Sequence, residues 1–285
     1  MSERRGAAVP GLRSEGRATS GRQGVRGRHG VRRAISAEWA KTRSDPGTAW
    51  LLVSLVLLSV AVSAVTIGAA RCPAAGCDQD PARISLAGVY LGQAVAALAG
   101  TTAIATEYGT GMIRVTLAAI PHRGRLLAAK AVVLTVSVLA AAAATVAAAM
   151  ADGLLTLPGH GFTAASGSGV VTVAMTRAAG CAALYLTLVA LLGLGVATAV
   201  RDAVAATGIT LGLLYLFPVA ASLAGDPTVA RRLEQVSPMF AGLDSQSTTG
   251  LGALPLTPWQ GLGVVALWAA GALLLGWLVL RARDA

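Results

Sequence analysis

Long apolar stretches alternate with shorter polar segments along most of the chain. A helix that rises about 1.5 Å per residue needs about 20 mainly apolar residues to cross the hydrocarbon core of a bilayer. Lipid cannot hydrogen-bond an exposed backbone, so stretches that cross it must be helical. We predict an all-α, polytopic membrane protein with six transmembrane helices, at residues 49–70, 84–106, 126–151, 176–200, 203–224 and 259–280.

Two pairs of glycines in these stretches have the spacing that lets neighbouring helices approach closely. They are Gly88 with Gly92 and Gly208 with Gly212. The chain contains 34 glycines, so chance explains either pair about as well as helix packing does.

The composition favours a bilayer over water as the solvent. Hydrophobic residues make up 55% of the chain and charged residues 13%, and the mean hydropathy is +0.67. A water-soluble protein does not bury so large an apolar fraction. The net charge of +10 would suggest nucleic acid as the partner of a soluble protein. Because the basic residues cluster at one end and in one loop, the predicted partner is the lipid membrane, and no nucleic acid is expected.

The N-terminal segment differs from the rest of the chain. Residues 1–34 are rich in Arg, Gly and Ser and have almost no large apolar side chains. We predict a disordered, basic cytoplasmic tail, because such a composition cannot offset the entropy of ordering. It lacks the apolar stretch of a secretory signal. A transit peptide and a later translation start are the alternatives.

The distribution of basic residues predicts the orientation, because Lys and Arg in short loops resist translocation. With the tail inside, the other inner segments carry Lys41, Arg43, Arg114, Arg123, Arg125, Lys130, Arg201, Arg281 and Arg283. The outer segments carry fewer basic residues and hold Asp78, Asp80, Asp152, Asp226, Glu234 and Asp244. Both termini are therefore predicted to be cytoplasmic.

Cysteine positions agree with this orientation. Cys72 and Cys77 lie in the first outer loop, separated by a turn-forming Pro-Ala-Ala-Gly spacer. An oxidising compartment permits a disulfide between them, which we predict, with two free thiols as the alternative. A zinc site is disfavoured because no second Cys or His pair accompanies them. Cys181 lies inside a span and is predicted to be a packing residue.

Motifs for catalysis are absent from the sequence. It has no G-x-x-x-x-G-K-[ST] phosphate loop and no H-E-x-x-H motif. We expect no enzyme activity, and neither a cofactor nor a metal bound by this chain. Lys130 is close enough to a span end to extend to the cytoplasmic surface. The spans then hold no ionisable group at membrane depth, which disfavours an ion-coupled carrier.

The second inner segment contains a short amphipathic pattern. Ile113, Leu117 and Ile120 repeat at helical spacing, and Pro121 disfavours helix at the residue before it. Arg123 and Arg125 follow. On the residues alone, this is an interfacial helix with basic residues on anionic lipid.

The sequence motif of this segment also resembles that of a known protein family. Glu107 begins the run Glu-Tyr-x-x-Gly-x-Ile-Arg-x-Thr-Leu, followed by Pro-x-Arg-x-Arg and Ala-Lys. This run resembles the loop between the second and third spans of type-2 ATP-binding-cassette (ABC) permeases, especially actinobacterial ones. Residues 35–48 are similar to the interfacial connecting helix of that family, through Glu38, Trp39, Lys41 and Arg43. The likeness begins at about residue 35.

The resemblance implies a function. The loop would be the coupling helix that contacts a separate ATPase subunit, which would hold ATP and Mg. The coupling residues would be Glu107, Tyr108, Gly111, Ile113, Arg114, Leu117, Pro121, Arg123 and Arg125. The family also implies a second permease copy or a related permease, a bacterial plasma membrane and export. Within residues 225–258 it implies short outer helices, whereas a plain solvated loop is the alternative.

Two other functions fit the sequence. One is an ion-coupled carrier or channel, and the other is a membrane scaffold that transports nothing. The sequence does not identify a transported substrate.

Overall fold

A computed structural model of the chain describes residues 32, 34–72, 79–112, 123–162 and 169–282, with the backbone alone at 169–172. Most of the N-terminal tail lies outside these ranges. So do five of the predicted site residues, namely Ile113, Arg114, Leu117, Pro121 and Cys77. Within the described ranges the chain is helical, with turns and bends between the helices and no strand.

The helices follow one another closely along the chain. We number them α1 (34–44), α2 (Pro46–Ala69), α3 (Pro81–Ser85), α4 (Val89–Gly109), α5 (Arg123–Thr156), α6 (Gly169–Val200), α7 (Ala203–Leu223), α8 (Pro227–Val236), α9 (Pro238–Asp244) and α10 (Pro258–Ala282). Single 3₁₀ turns occupy Leu157–His160 and Leu251–Ala253. Six helices are long and apolar enough to cross a membrane: α2, α4, α5, α6, α7 and α10. The all-helical class and the number of long apolar helices are thereby confirmed.

Aspartates in the connectors cap the N-termini of several of these helices. Asp45 accepts hydrogen bonds from the backbone N–H groups of Gly47 and Thr48 and so caps α2. Asp202 caps α7 in the same way through Ala205, at 2.7 Å. Such caps satisfy N–H groups that have no partner inside the helix. Polar connectors as short as the two residues between α6 and α7 therefore suffice to start a new helix.

The second predicted span begins later than the apolar pattern suggests. The prediction started it at Ile84, but Ile84 belongs to the short helix α3, and α4 begins at Val89. The chain turns between them at Gly88, where an added Cβ would lie 1.8 Å from the backbone oxygen of Ser59 on α2. Glycine is needed here because α2 and the start of α4 are in backbone contact.

The two glycine pairs have different surroundings. An added Cβ at Gly92 would lie 2.4 Å from the hydroxyl of Ser59, so Gly88 and Gly92 both pack on α2. At Gly208 and Gly212 no atom of the described chain comes within 4 Å of such a Cβ. Among the described residues, only the first pair mediates helix packing.

Helix α6 is the centre of the bundle. In its most apolar window 72% of the residues are buried, against 17% in α7 and 22% in α10. It packs against α4, α5 and α10. The surrounding helices expose large apolar side chains, including Trp50, Val204 and Leu267. This arrangement is typical of a bundle whose outer surface faces lipid.

The bundle has two polar ends. We call the proximal end the one at which α1, the end of α4, the start of α5 and the end of α10 meet. Lys130 of α5 contacts both α1 and α4 there, and the Arg123 guanidinium donates to the Leu280 carbonyl at 2.5 Å. The distal end carries α3, α8, α9 and both 3₁₀ turns.

Candidate functional site

Four charged side chains meet at the proximal end, and we call them the proximal ionic cluster. They are Glu38 and Lys41 of α1, Glu107 of α4 and Lys130 of α5. The Lys130 ammonium lies 2.8 Å from Glu38 Oε2 and 2.7 Å from Glu107 Oε1. Lys41 donates to the same oxygen of Glu107. The cluster thus joins three helices through two carboxylates and two ammonium groups.

Local sequence positions each member. Glu38 and Lys41 are three residues apart on α1 and so share one of its faces. Glu107 lies in the last turn of α4, and Lys130 lies two turns into α5. Residues 113–122, which carry the family-like motif, lie between the ends of α4 and α5. The Glu107–Lys130 pair therefore connects the two helices on either side of that segment.

Three of the four charges are withdrawn from solvent. Glu107 is 2% exposed, Lys130 5% and Glu38 7%. Lys130 was expected to extend to the surface, but it is buried between the two carboxylates. Its third N–H reaches the Ala103 carbonyl at 3.2 Å, so all three donors of the ammonium are used.

One oxygen of Glu107 remains unused. Oε1 accepts from both lysines, whereas Oε2 is buried and has no hydrogen-bond partner in the described part of the chain. A buried acceptor without a partner loses its hydration without compensation. No described residue fills this bonding position near the end of α4.

Two neighbouring side chains also have unused polar atoms. The Arg201 guanidinium lies 5.8 Å from the ring centre of Tyr108, which follows Glu107. Tyr108 Oη and the Arg201 Nε and Nη2 atoms are buried and lack a well-formed hydrogen bond among the described residues, although the Arg201 charge is close enough to interact with the Tyr108 hydroxyl. Arg201 has a φ of 64°, a left-handed conformation that costs a residue with a Cβ about 1–2 kcal/mol. Unused donors and a strained backbone are typical of functional positions.

The structure brings together only part of the predicted site. Glu38, Lys41 and Glu107 join the cluster. Trp39 and Arg43 are exposed on α1. Gly111 is exposed and has a positive φ of 69°, which glycine adopts without strain. Arg123 contacts the end of α10, as described above, and Arg125 is half-buried at the start of α5.

Sequence reasoning missed the role of Lys130 and did not link α1 to the second inner segment. Lys130 is 92 residues from Glu38 in sequence and 23 from Glu107. One signal was present. A lysine two turns inside an apolar helix needs either a route to the surface or a buried partner.

A second polar site lies at the distal end, and we call it the distal carboxylate site. The buried carboxylate of Asp80 accepts from the backbone N–H groups of Ala82 and Thr249, each at 3.0 Å. It also accepts from the backbone N–H and the hydroxyl of Thr248. Each oxygen has two donors, so this anion is fully hydrogen-bonded and fastens residues 248–249 to the start of α3.

Other distal contacts hold the same segment. The Arg177 guanidinium donates to the Ser247 carbonyl at 2.6 Å. Arg83 pairs with Asp244 at 3.3 Å. Burial raises the pKa of Asp244, the Arg83 charge opposes that rise, and Glu234 adds to it. The distal connection is thus ordered around α9, and within residues 225–258 the structure has the short helices α8 and α9.

Cysteine states are only partly described. Cys72 is disulfide-bonded, and its backbone N–H donates to the His160 carbonyl at 3.0 Å. Cys77, its predicted partner, lies outside the described residues, and the pairing stays a prediction. Cys181 is a free, buried thiol.

Comparison with known proteins adds no relative. No family model matches this sequence, and no curated protein is significantly similar to it. The family resemblance therefore depends on the motif residues themselves.

Proposed function

We propose that this chain is the membrane-spanning permease subunit of an ABC transporter, an exporter in a bacterial plasma membrane. ATP hydrolysis would take place on a separate ATPase subunit. The observation that carries the proposal is the proximal ionic cluster. It ties α1 to both helices that flank residues 113–122, whose sequence resembles the coupling helix of ABC permeases.

We infer that the proximal end faces the cytoplasm. Lys41, Arg43, Arg123 and Arg125 are at this end, and basic residues in short segments stay on the cytoplasmic side. The distal connectors instead carry acidic residues, such as Asp80 and Asp226. An ATPase in the cytoplasm would then reach the segment between α4 and α5.

The geometry supports a mechanical role. A push on residues 113–122 would reach α4 and α5 together, because the Glu107–Lys130 pair connects them at 2.7 Å. Glu38 and Lys41 would pass the same displacement to α1. Helix α5 is 34 residues long and reaches the distal end. Motion of the partner would in this way change the packing of several spans at once.

The chain itself supplies no covalent chemistry in this proposal. ATP and Mg would bind to the ATPase subunit. Two six-helix units would form the path, either as two copies of this chain or as this chain with a related permease. The exposed face of α7, which carries Gly208 and Gly212, is available for such a contact.

A test begins with the purified complex. The tagged chain, extracted in mild detergent, is expected to co-purify with an ABC-type ATPase, and reconstituted vesicles are expected to require ATP for transport. Absence of any such ATPase from the preparation contradicts the proposal.

The buried charges favour one alternative, an ion-coupled carrier. A carboxylate such as Glu107, buried with one unused oxygen, is a group that binds protons or cations in such carriers. Transport by the purified chain alone, driven by a pH gradient without ATP, would establish this alternative. ATP-dependent transport that a pH gradient cannot replace would exclude it.

A further inference from the structure

Two adjoining cavities lie at the distal end of the bundle. The lower one has a volume of about 340 Å³ and lies between α2, the start of α4 and α9. The upper one, of about 1100 Å³, lies between the end of α2, α3 and residues 249–254. Both are lined by Thr66, Arg83 and Ala87, so they meet at these three residues. Volumes of this size are typical of ligand sites.

The two cavities differ in chemistry. The lower one is walled mainly by apolar side chains, among them Val62, Leu86, Leu91 and Leu243. The upper one also has apolar walls, such as Ile84 and Leu254, but carries more polar groups, including Gln79 and Asp80. A ligand that fills both needs an apolar tail below and a polar head above.

Two side chains that line the cavities have hydrogen-bond donors. The Arg83 side chain is half exposed and uses one N–H toward Asp244 at 3.3 Å, which leaves most of its five donors for other partners. Gln246 lines the lower cavity, is 3% exposed, and its Nε2 has no acceptor within hydrogen-bonding distance in the part of the chain that is described.

Two acidic side chains near the cavities could compete with a ligand for the Arg83 donors, but both already have other contacts or are buried. Asp80 lines the upper cavity, but both of its oxygens are already occupied by the distal carboxylate site. Asp244 engages one edge of Arg83 and is itself mostly buried. Arg83 is therefore the charged group left to meet a ligand, and a guanidinium binds oxyanions strongly.

We propose that the joined cavity binds an amphiphile with one apolar chain and an oxyanion head, phosphate or carboxylate. The chain would occupy the lower cavity, and the head would accept hydrogen bonds from Arg83, which lines both cavities. This site does not depend on the transporter assignment. It would serve equally for a bound membrane lipid and for a cargo of the same chemistry.

The test titrates the full chain in dodecyl maltoside with palmitoyl lysophosphatidylglycerol, and native mass spectrometry measures the bound fraction. A palmitoyl monoglyceride and inorganic phosphate supply the tail and the head separately. We expect the lysophospholipid to bind at least about tenfold more tightly than either. If the monoglyceride binds as tightly as the lysophospholipid, the oxyanion does not contribute and the proposal is wrong. If inorganic phosphate binds as tightly, the apolar tail does not contribute and the proposal is equally wrong.

Variants locate the site. Arg83→Gln is expected to weaken lysophospholipid binding about tenfold, because it removes a charge-assisted hydrogen bond. Arg231→Gln is the matched control, since Arg231 is exposed on α8 and does not line either cavity. Equal loss in both variants, or no loss in Arg83→Gln, overturns the proposal.

A second variant, which fills the cavity with a larger side chain, tests the binding site if Arg83→Gln does not fold. Ala87→Phe retains every donor but occupies the place where the cavities meet. It is expected to abolish saturable binding of the lysophospholipid while the melting temperature shows a folded chain. Unchanged binding by the folded Ala87→Phe variant overturns the proposal.

Discussion

Buried carboxylates at the two ends of the bundle are stabilised in different ways. At the distal carboxylate site, one anion, Asp80, accepts from four donors, and neither oxygen is left unused. At the proximal ionic cluster, two carboxylates share two lysines, and Glu107 Oε2 has no partner among the described residues. The Nε and Nη2 atoms of nearby Arg201 likewise lack an acceptor in the described part of the chain.

This difference indicates that the distal carboxylate site is a fixed structural contact, whereas the proximal end can form new contacts. A fully hydrogen-bonded carboxylate gains nothing from a new contact, so the distal site holds the loop after α9 in one arrangement. At the proximal end, Glu107 Oε2 and the Arg201 guanidinium have bonding positions that no described residue fills. A bound partner could satisfy them, and this gain would favour one arrangement of the helices over another.

The largest expected effect comes from Lys130→Met. It removes the ammonium between two buried carboxylates, which is expected to lower the free energy of unfolding by about 3–5 kcal/mol. Denaturant titration in detergent measures the loss. The triple variant Glu38→Gln, Glu107→Gln, Lys130→Met is expected to recover most of it, because no buried charge is then left unpaired.

Lys41→Met is the control for that measurement. Its side chain is 41% exposed, so solvent screens its pairing with Glu107 and the loss is expected to be much smaller. Equal losses in the Lys41 and Lys130 variants would show that burial at Lys130 does not determine the strength of the cluster.

The distal site is expected to give a smaller and more local effect. Asp80→Ala leaves the N–H groups of Thr248 and Thr249 without their acceptor, at a cost of about 1–3 kcal/mol. Amide hydrogen exchange is expected to speed up in residues 245–254 and to stay unchanged in α1. Asp226→Ala, which removes only an exposed helix cap, is the control. Faster exchange throughout the chain would contradict a local anchor.

The smallest expected effect is on the pH dependence of stability, which should have opposite signs at Asp244 and Asp45. Burial raises the pKa of Asp244 above 3.8, so the folded chain binds that proton more tightly. Its contribution is present below 3.8 and is lost as the pH rises through the folded value. The hydroxyl of Thr48, followed by its backbone N–H, lowers the pKa of Asp45 at the proximal end. That contribution is present above 3.8 and is lost as the pH falls.

Thermal unfolding of Asp244→Asn and Asp45→Asn between about pH 3 and pH 7 measures both signs. The difference between wild type and variant should fall with rising pH for Asp244 and increase with rising pH for Asp45. Slopes of the same sign at the two positions would be inconsistent with the environments described.

The main features of the fold could be predicted because crossing a bilayer imposes length and apolarity on each helix. The break before α4 could not, since the apolar run continues through it and only the contact of Gly88 with Ser59 marks the turn. The same contact distinguishes Gly88 and Gly92 from Gly208 and Gly212, whose sequence spacing is identical.

The proximal cluster was beyond sequence reasoning for a related physical reason. Glu38, Glu107 and Lys130 become neighbours only when three separate helices pack. The motif identified Glu107, and the resemblance identified Glu38, but neither indicated that a buried lysine joins them. Pairing across such sequence distances is decided by tertiary packing.

The central claim is that the proximal cluster transmits the motion of an ATPase partner, and one measurement tests it most directly. The co-purifying ABC-type ATPase is reconstituted with the wild-type chain, with the triple variant Glu38→Gln, Glu107→Gln, Lys130→Met, or with Asp80→Asn, and ATP hydrolysis is measured. We predict that the wild-type chain and Asp80→Asn stimulate hydrolysis, whereas the folded triple variant binds the ATPase without stimulating it. Equal stimulation by the triple variant and the wild-type chain would contradict the claim.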